Sequence, residues 1–327
     1  MIRAVGCNEF GPPSVLAELT LPMPEPGPGE VRVKVHAVGL GFHDLLLVAG
    51  KYQLKPPFPV IPGSDVTGTI DALGQDVSDF RLGDRVIAIT DHGGCAECVT
   101  VSAKAAALLP AGIDFVTGAA IGMTYGTAHQ ALIDRAALKA GEVLLVRGAS
   151  GGVGRAAVEI GRHLGATVLA TASSPEKQAI ARAAGAHHVV DAAVDVRDRV
   201  RSLTDGRGAD VIFDPVGEPG FRVACLAGVA YRGRILIVGF AGGEIPAIPA
   251  HYLINKFCTI TGVAFGGFFA HREPEQFRAI LQDIVAWAGQ GVVSPLVTMR
   301  VTPGETARAL DAIASRSMAG RAVVAFA

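Results

Sequence analysis

Residues 143–165 read VLLVRGASGGVGRAAVEIGRHLG, and this run narrows the fold more than any other part of the chain. Four apolar residues, Val143 to Val146, have the length and branching of a buried strand. A glycine-rich turn follows, and then Val153, Ala157, Ile160 and Leu164 recur at helical spacing until Gly165 stops the helix. Ala149, Gly151 and Gly154 occupy the three positions of a G-x-G-x-x-G pattern, with alanine in place of the first glycine. In that pattern a tight turn leaves the sheet, the middle glycine lets backbone approach a pyrophosphate, and the last allows close contact of helix and strand. The phosphates then lie on unpaired N–H groups at the helix N-terminus. Ala149, Ser150, Gly151, Gly152, Val153 and Gly154 are therefore the candidate phosphate cradle. The alternative is a glycine turn that binds nothing.

The same rhythm repeats downstream. Strand-like runs stand at 143–146, 167–172, 187–191, 210–216, 234–240 and 259–265, with helical patterns between them. One of these helices opens at Pro175 and ends at Gly185. Six short strands, apolar throughout and joined by crossovers, predict an α/β fold with a doubly wound parallel sheet. Before about residue 110 the pattern differs. Residues 22–28, PMPEPGP, exclude helix and central strand. Val31, Val33 and Val35 then alternate with Arg32, Lys34 and His36 as in a half-buried strand. The expectation is a β-rich domain of 1–123 and 266–327, with 124–265 inserted as the dinucleotide-binding domain. A helix over 274–289, another near 303–315 and a last strand complete the first domain.

With 327 residues there is room for two cores. The net charge is −1, with no basic stripe, so the expected partner is a small molecule and not a nucleic acid or a membrane surface. No apolar run reaches spanning length, no secretory leader is evident, and five scattered cysteines fit a reducing compartment. A cytoplasmic location is expected.

The end of the second strand selects the nucleotide. An NAD site places a carboxylate there for the ribose 2′-hydroxyl. Here Ala172 and Ser173 stand in its place, and Ser174 and Lys177 follow. Hydroxyls and an ammonium suit a 2′-phosphate, so the expected cofactor is NADPH. Ser174 also fits the cap position of the helix that Pro175 opens.

These motifs, together with PGPGEVRVKVHAVGL, GKYQLKPPFPVIPGSDVTG, GDRV, GGCAECVTV, TYGTAHQAL and GADVIFDPVG, span nearly the whole chain. The chain resembles the zinc-free quinone oxidoreductase (ζ-crystallin-like) branch of the medium-chain dehydrogenase/reductase superfamily. The resemblance implies a Rossmann sheet plus a GroES-like domain, with the nicotinamide held in the cleft between them. It implies a role for Tyr52 in proton donation or substrate hydrogen bonding, for Asp44 near the nicotinamide ribose, and for Thr124 at the nicotinamide. It further places Gly239, Phe240, Asn255 and Phe265 around the cofactor and substrate. Asp44 and Thr124 also fit purely structural capping roles, and His43 reads as a surface side chain. Where many members carry an asparagine this chain has Gly41, which implies one hydrogen bond fewer and a roomier pocket. Ala192 stands where many have a tyrosine beside the 2′-phosphate.

Metal-dependent relatives ligate catalytic zinc at the positions of Gly41 and Ser64, and neither residue can do so. Cys95 and Cys98 form a C-x-x-C pair that could belong to a zinc site or a redox dithiol. A four-ligand zinc site needs partners, and the pair falls in a strand motif of the family, so both are read as strand residues and no metal is expected. Without a metal to acidify an alcohol, hydride delivery to an electrophilic acceptor is the easier chemistry. Reduction of quinones leads, with activated alkenes such as enones and 2-enoyl thioesters second. A non-enzymatic NADPH-binding role is the third reading. A homodimer pairing through the edge strand near 259–265 is expected.

Overall fold

The computed structural model describes residues 1–316 and 318–326, with the backbone alone at Phe268. The chain divides into two compact units, Met1–Gly126 with Phe265–Ala327, and Thr127–Ala264. Thr124 and Phe265 thus lie with the β-rich unit and not with the inserted one.

The inserted unit is a six-stranded parallel sheet. Its strands are β1 (Val143–Val146), β2 (Thr167–Ala172), β3 (His188–Asp191), β4 (Ala209–Asp214), β5 (Val229–Ile237) and β6 (Thr259–Gly262), in the spatial order β3-β2-β1-β4-β5-β6. Reversal of direction beside β1 makes it the doubly wound Rossmann arrangement, with the ligand edge at the carboxyl ends of the strands. Val143 to Val146 are all buried, as strands covered on both faces require. Helix α1 (Gly152–His163) buries Ala156, Ala157 and Ile160. Helices α2 (Pro175–Ala183), α3 (Val196–Ser202) and α4 (His251–Lys256) complete the unit's principal crossovers. β6 is shorter than the run expected over 259–265, because the chain leaves the sheet after Gly262.

The β-rich unit is organised by the strand Glu30–Leu40, which buries Val31, Val33 and Val35 and turns Lys34 outward. It pairs antiparallel with Asp65–Leu73, Cys98–Ser102 and Arg321–Ala325. The helix Pro274–Gly289 matches its expected bounds, whereas the later helical stretch is a short 3₁₀ turn, Pro303–Glu305, followed by Thr306–Ala314. One buried ion pair crosses the central strand. Arg321 Nη2 lies 2.9 Å from Asp65 Oδ2, on strands to either side of Gly39. A Cβ at Gly39 would overlap the Ala119 carbonyl oxygen and stand 2.6 Å from Arg321 Nη2, so the glycine is required first by that backbone contact and also leaves room for the guanidinium. Burial pushes the Asp65 carboxyl up to about 7, opposed by the guanidinium and by the Met123 amide.

Candidate active site

In the inserted unit, Gly148 makes the turn after β1, with φ at +60°, a conformation that favours glycine. The turning residue is therefore one position before Ala149, which the G-x-G-x-x-G alignment had placed first. Ala149 is buried and its N–H donates to the Thr171 carbonyl at 3.1 Å, tying the turn to β2. Gly151 caps α1, and the amides of Gly152, Val153 and Gly154 form a first turn with no acceptor inside the helix. Two glycines have different duties here. A Cβ at Gly154 would overlap the Gly148 carbonyl oxygen, whereas one at Gly151 would meet nothing nearer than that oxygen at 3.6 Å. Gly154 lets the helix sit on the turn, and Gly151 leaves open the space a pyrophosphate needs. Gly161, two turns on, repeats the close contact, since a Cβ there would overlap Leu144.

A buried ion pair supports this turn from below, and sequence reasoning missed it. Arg147 Nη1 lies 3.0 Å from Asp214 Oδ1 and donates to the Gly217 carbonyl at 2.8 Å, while Nη2 donates to the Pro219 carbonyl at 2.9 Å. Asp214 in turn accepts from the amides of Val216 and Gly217. Burial raises the Asp214 carboxyl, and Arg147 draws it back. The charged residue ending an otherwise apolar strand, and the aspartate ending β4, were the available signals.

Most of the other cofactor candidates gather on the same edge. Ser173 is exposed after β2 and Lys177 is half-buried one turn into α2. Ser174 is the helix cap, its Oγ accepting from the Lys177 amide at 3.3 Å. Glu176 stands in that first turn, its carboxyl held low chiefly by a hydrogen bond from Ser174. The edge is therefore not free of acid, although the strand end itself is. Gly239 follows β5, with its amide 3.4 Å from the Asp214 carbonyl, and Phe240 lies beside Gly217. Asn255 is not brought to this group. It is exposed near the end of α4, and its neighbour Lys256 donates to the Val229 carbonyl at the start of β5, the opposite edge of the sheet.

In the β-rich unit, Gly41 caps the helix Phe42–Val48 and a compact polar group forms around it. Asp44 is fully buried, with Oδ2 accepting from the Gly41 amide at 2.8 Å and Oδ1 from the Gly63 amide at 2.7 Å. That is the capping role, and it fastens the Gly63 loop to the helix. His43 Nε2 lies 2.9 Å from Ser64 Oγ and 3.3 Å from Asp44 Oδ2. Two sequence expectations change here. His43 is no surface side chain, being 19% exposed. The space beside Gly41 is not roomy either, because a Cβ there would stand 2.8 Å from His43 Cε1 and Nδ1. Burial lowers the His43 pKa, Asp44 opposes the shift and Arg321 adds to it.

The Tyr52 ring is half-buried, with its centroid 6.2 Å from that of His43. Burial raises its phenol pKa, reinforced by Asp44 and Asp91. Thr124 is the third residue of the helix Gly122–His129, and its hydroxyl donates to the Ala120 carbonyl at 2.7 Å, an interaction internal to the fold. Phe265 is a core aromatic, stacked on Phe277 at 4.5 Å.

Zinc does not fit these residues. Gly41 has no side chain, and the Ser64 hydroxyl is engaged by His43. Among the described residues no group of three or more His, Cys, Asp or Glu side chains could hold a metal ion. Cys98 begins the strand Cys98–Ser102, but Cys95 lies in the bend before it, a correction to the reading of both as strand residues. Both thiols are buried, and burial raises both.

A doubly wound sheet with an open glycine turn, joined in one chain to a GroES-like β unit, defines a nucleotide-dependent dehydrogenase or reductase. The family comparisons agree. Residues 27–139 match the alcohol dehydrogenase GroES-like domain, and residues 152–286 match the zinc-binding dehydrogenase family. Human quinone oxidoreductase is 37% identical over 86% of this chain and 85% of its own. The quinone oxidoreductase of Pseudomonas syringae pv. tomato superposes with a TM-score of 0.92 at 27% identity, covering all of both chains. A mycobacterial protein solved in complex with NADPH superposes with a TM-score of 0.91 at 30% identity, again over both entire chains. The chain belongs to the quinone oxidoreductase family of the medium-chain dehydrogenase/reductase superfamily, and it is an oxidoreductase.

The two glycines of the turn separate packing from binding. Gly154→Ala is expected to destabilise the protein by about 1–3 kcal/mol through overpacking, read as a lowered melting temperature. Gly151→Ala is expected to melt like the parent while losing dinucleotide affinity in a fluorescence titration. Equal melting of parent and Gly154→Ala contradicts the packing account.

Proposed function

We propose that the protein is an NADPH-dependent oxidoreductase that reduces quinones without a metal. The observation that carries the reading is the pairing of a dinucleotide cradle with ligand positions, Gly41 and Ser64, whose residues do not fit zinc. NADPH, when bound, supplies the hydride. The chain's own part is to hold the nucleotide and to present polar groups to the acceptor. In this reading the first-turn amides of α1 receive the pyrophosphate, Ser173 and Lys177 the 2′-phosphate, and Gly239 and Phe240 border the nicotinamide half. Ser174 and Asp44 position neighbours, and Thr124 fixes the start of its helix. Tyr52 is assigned to hydrogen-bond the acceptor carbonyl, because its raised pKa keeps it a phenol and makes it a weak proton source. A quinone accommodates incoming negative charge within its own π-system, so a site without a Lewis acid suits it. The names of the relatives and the NADPH complex of the mycobacterial neighbour support the same reading.

NADPH and NADH oxidation with 1,2-naphthoquinone, 9,10-phenanthrenequinone and crotonyl-CoA, measured in parallel, tests this. Quinone turnover with kcat/KM higher for NADPH is expected. Turnover of the thioester alone assigns the activated-alkene activity instead, and tight NADPH binding with no turnover assigns a non-enzymatic role.

We further propose a homodimer formed through β6. Exposed Tyr231, Ile254 and Phe257 lie near that edge strand, Tyr231 and Phe257 with ring centroids 5.3 Å apart. Sedimentation is expected to give the mass of two chains, falling to one in Ile254→Asp/Phe257→Asp, and a parent that sediments as a single chain rejects the dimer. A cytoplasmic setting belongs to the same reading. All five cysteines are free and buried, and among the described residues no helix is long and apolar enough to cross a membrane.

A further inference from the structure

The end of β2, where an NAD site carries its acid, has none, yet a carboxylate stands one strand away. In the parallel pairing of β2 and β3, Asp191 is the direct partner of Ala172. Neighbouring strands lie about 4.8 Å apart, and residues directly opposite one another project from the same face of a sheet. The Ala192 amide donates to the Ala172 carbonyl at 3.0 Å, which ties the turn after β3 to the end of β2. Asp191 Oδ1 accepts from the Ala193 amide at 2.9 Å, so the carboxyl group is fixed in that turn. It is half-buried there, and Ala192 and Ala193, which follow, are exposed and too small to cover it. Among the described residues no lysine or arginine forms an ion pair with it. A second acid, Glu176, stands in the first turn of α2 and takes a hydrogen bond from Ser174, the residue that caps that helix. The end of β2 therefore has two carboxylates as neighbours, one on the next strand and one in the following helical turn. All of these residues belong to the inserted unit.

We infer that Asp191 and Glu176 are specificity-determining residues that temper the preference for NADPH, so that one site accepts both NADPH and NADH. This rests on the reductase reading above, in which Ser173 and Lys177 receive the 2′-phosphate. The preference is then a balance of opposed electrostatic interactions. A phosphate monoester carries a charge of about −1.5 to −2 near neutral pH. It gains from the ammonium and the hydroxyl, and it is repelled by the two carboxylates. The 2′-hydroxyl of NADH carries no charge and is not repelled. It finds in Asp191 a hydrogen-bond acceptor one strand from the place where an NAD site has its own. Both acids are open to solvent, so each is expected to change affinity by about two- to fivefold and not by orders of magnitude.

The test titrates the full-length parent, Asp191→Asn, Glu176→Gln and the double variant with NADPH and with NADH. Dinucleotide fluorescence is followed at about 20 mM and about 500 mM NaCl, on either side of effective screening. Asparagine keeps an oxygen to accept from Ala193, and glutamine keeps one for Ser174, so both local turns are retained. At low salt each single variant is expected to bind NADPH about two- to fivefold more tightly than the parent, and the double variant about tenfold. NADH affinity is expected to fall about twofold or more in Asp191→Asn, which loses the charged acceptor. The gain in NADPH affinity shrinks at high salt, because screening weakens repulsion between exposed charges. A purely structural effect of the substitutions would not follow salt in this way. Melting temperature is measured on every variant, and Glu176→Gln decides if Asp191→Asn does not fold. An NADPH-to-NADH preference in the double variant within about 1.5-fold of the parent's, below the effect of even one exposed charge, overturns this inference alone. So does a parent that binds NADPH with no measurable affinity for NADH. A parent that binds neither dinucleotide overturns the functional reading and this inference together.

Discussion

The inserted unit depends on a steric constraint at one point, the contact between the start of α1 and the carbonyl of Gly148. Protein interiors are packed to crystal density, so a helix can approach a strand end this closely only where the intervening residue has no side chain. Gly154 meets that condition, and Gly161 meets it again further along β1. The consequence is electrostatic. A helix seated at that height delivers its unpaired amides and the positive end of its dipole to the carboxyl edge of the sheet. The Arg147–Asp214 pair fixes the neighbouring loop from beneath, so both walls of the cradle are set by buried interactions. Breaking such a pair by removing one partner leaves a buried charge uncompensated, which makes the residues under the turn as consequential as those lining it.

The β-rich unit shows the same economy of side chains. Gly39 admits the Ala119 carbonyl and, beside it, the Arg321 guanidinium of the Arg321–Asp65 pair, and Gly41 clears the place of the His43 ring. Successive missing side chains on one side of the central strand's end let a polar network occupy space that a larger residue would fill. Positions that hold zinc ligands in metal-dependent relatives have here become part of a hydrogen-bonded group of Ser64, His43 and Asp44.

Much of this was legible in the sequence because it follows from periodicity. The six strands, the stop of α1 at Gly165 and the helix Pro274–Gly289 all come from spacing and breakers, which are local. What was not legible depends on contacts distant along the chain. Arg147 meets Asp214, and Asp65 meets Arg321, across separations that no local pattern records. The reading of His43 as a surface group failed because its burial comes from the Gly63–Ser64 loop, held in place by Asp44. Asn255 was misplaced for another reason. Resemblance aligned it with the cofactor rim, while the short helix that carries it ends at the opposite edge of the sheet. The turn itself was found with an offset of one residue, since the pattern records glycines but not which of them adopts positive φ.

The account's central claim is that hydride passes to an acceptor electrophilic enough to need no metal. The direct test strips the protein with a strong chelator, verifies by elemental mass spectrometry that it is metal-free, and measures NADPH oxidation with 1,2-naphthoquinone. Turnover equal to that of untreated protein is the predicted result. Loss of turnover on stripping, restored by stoichiometric zinc, would contradict the account.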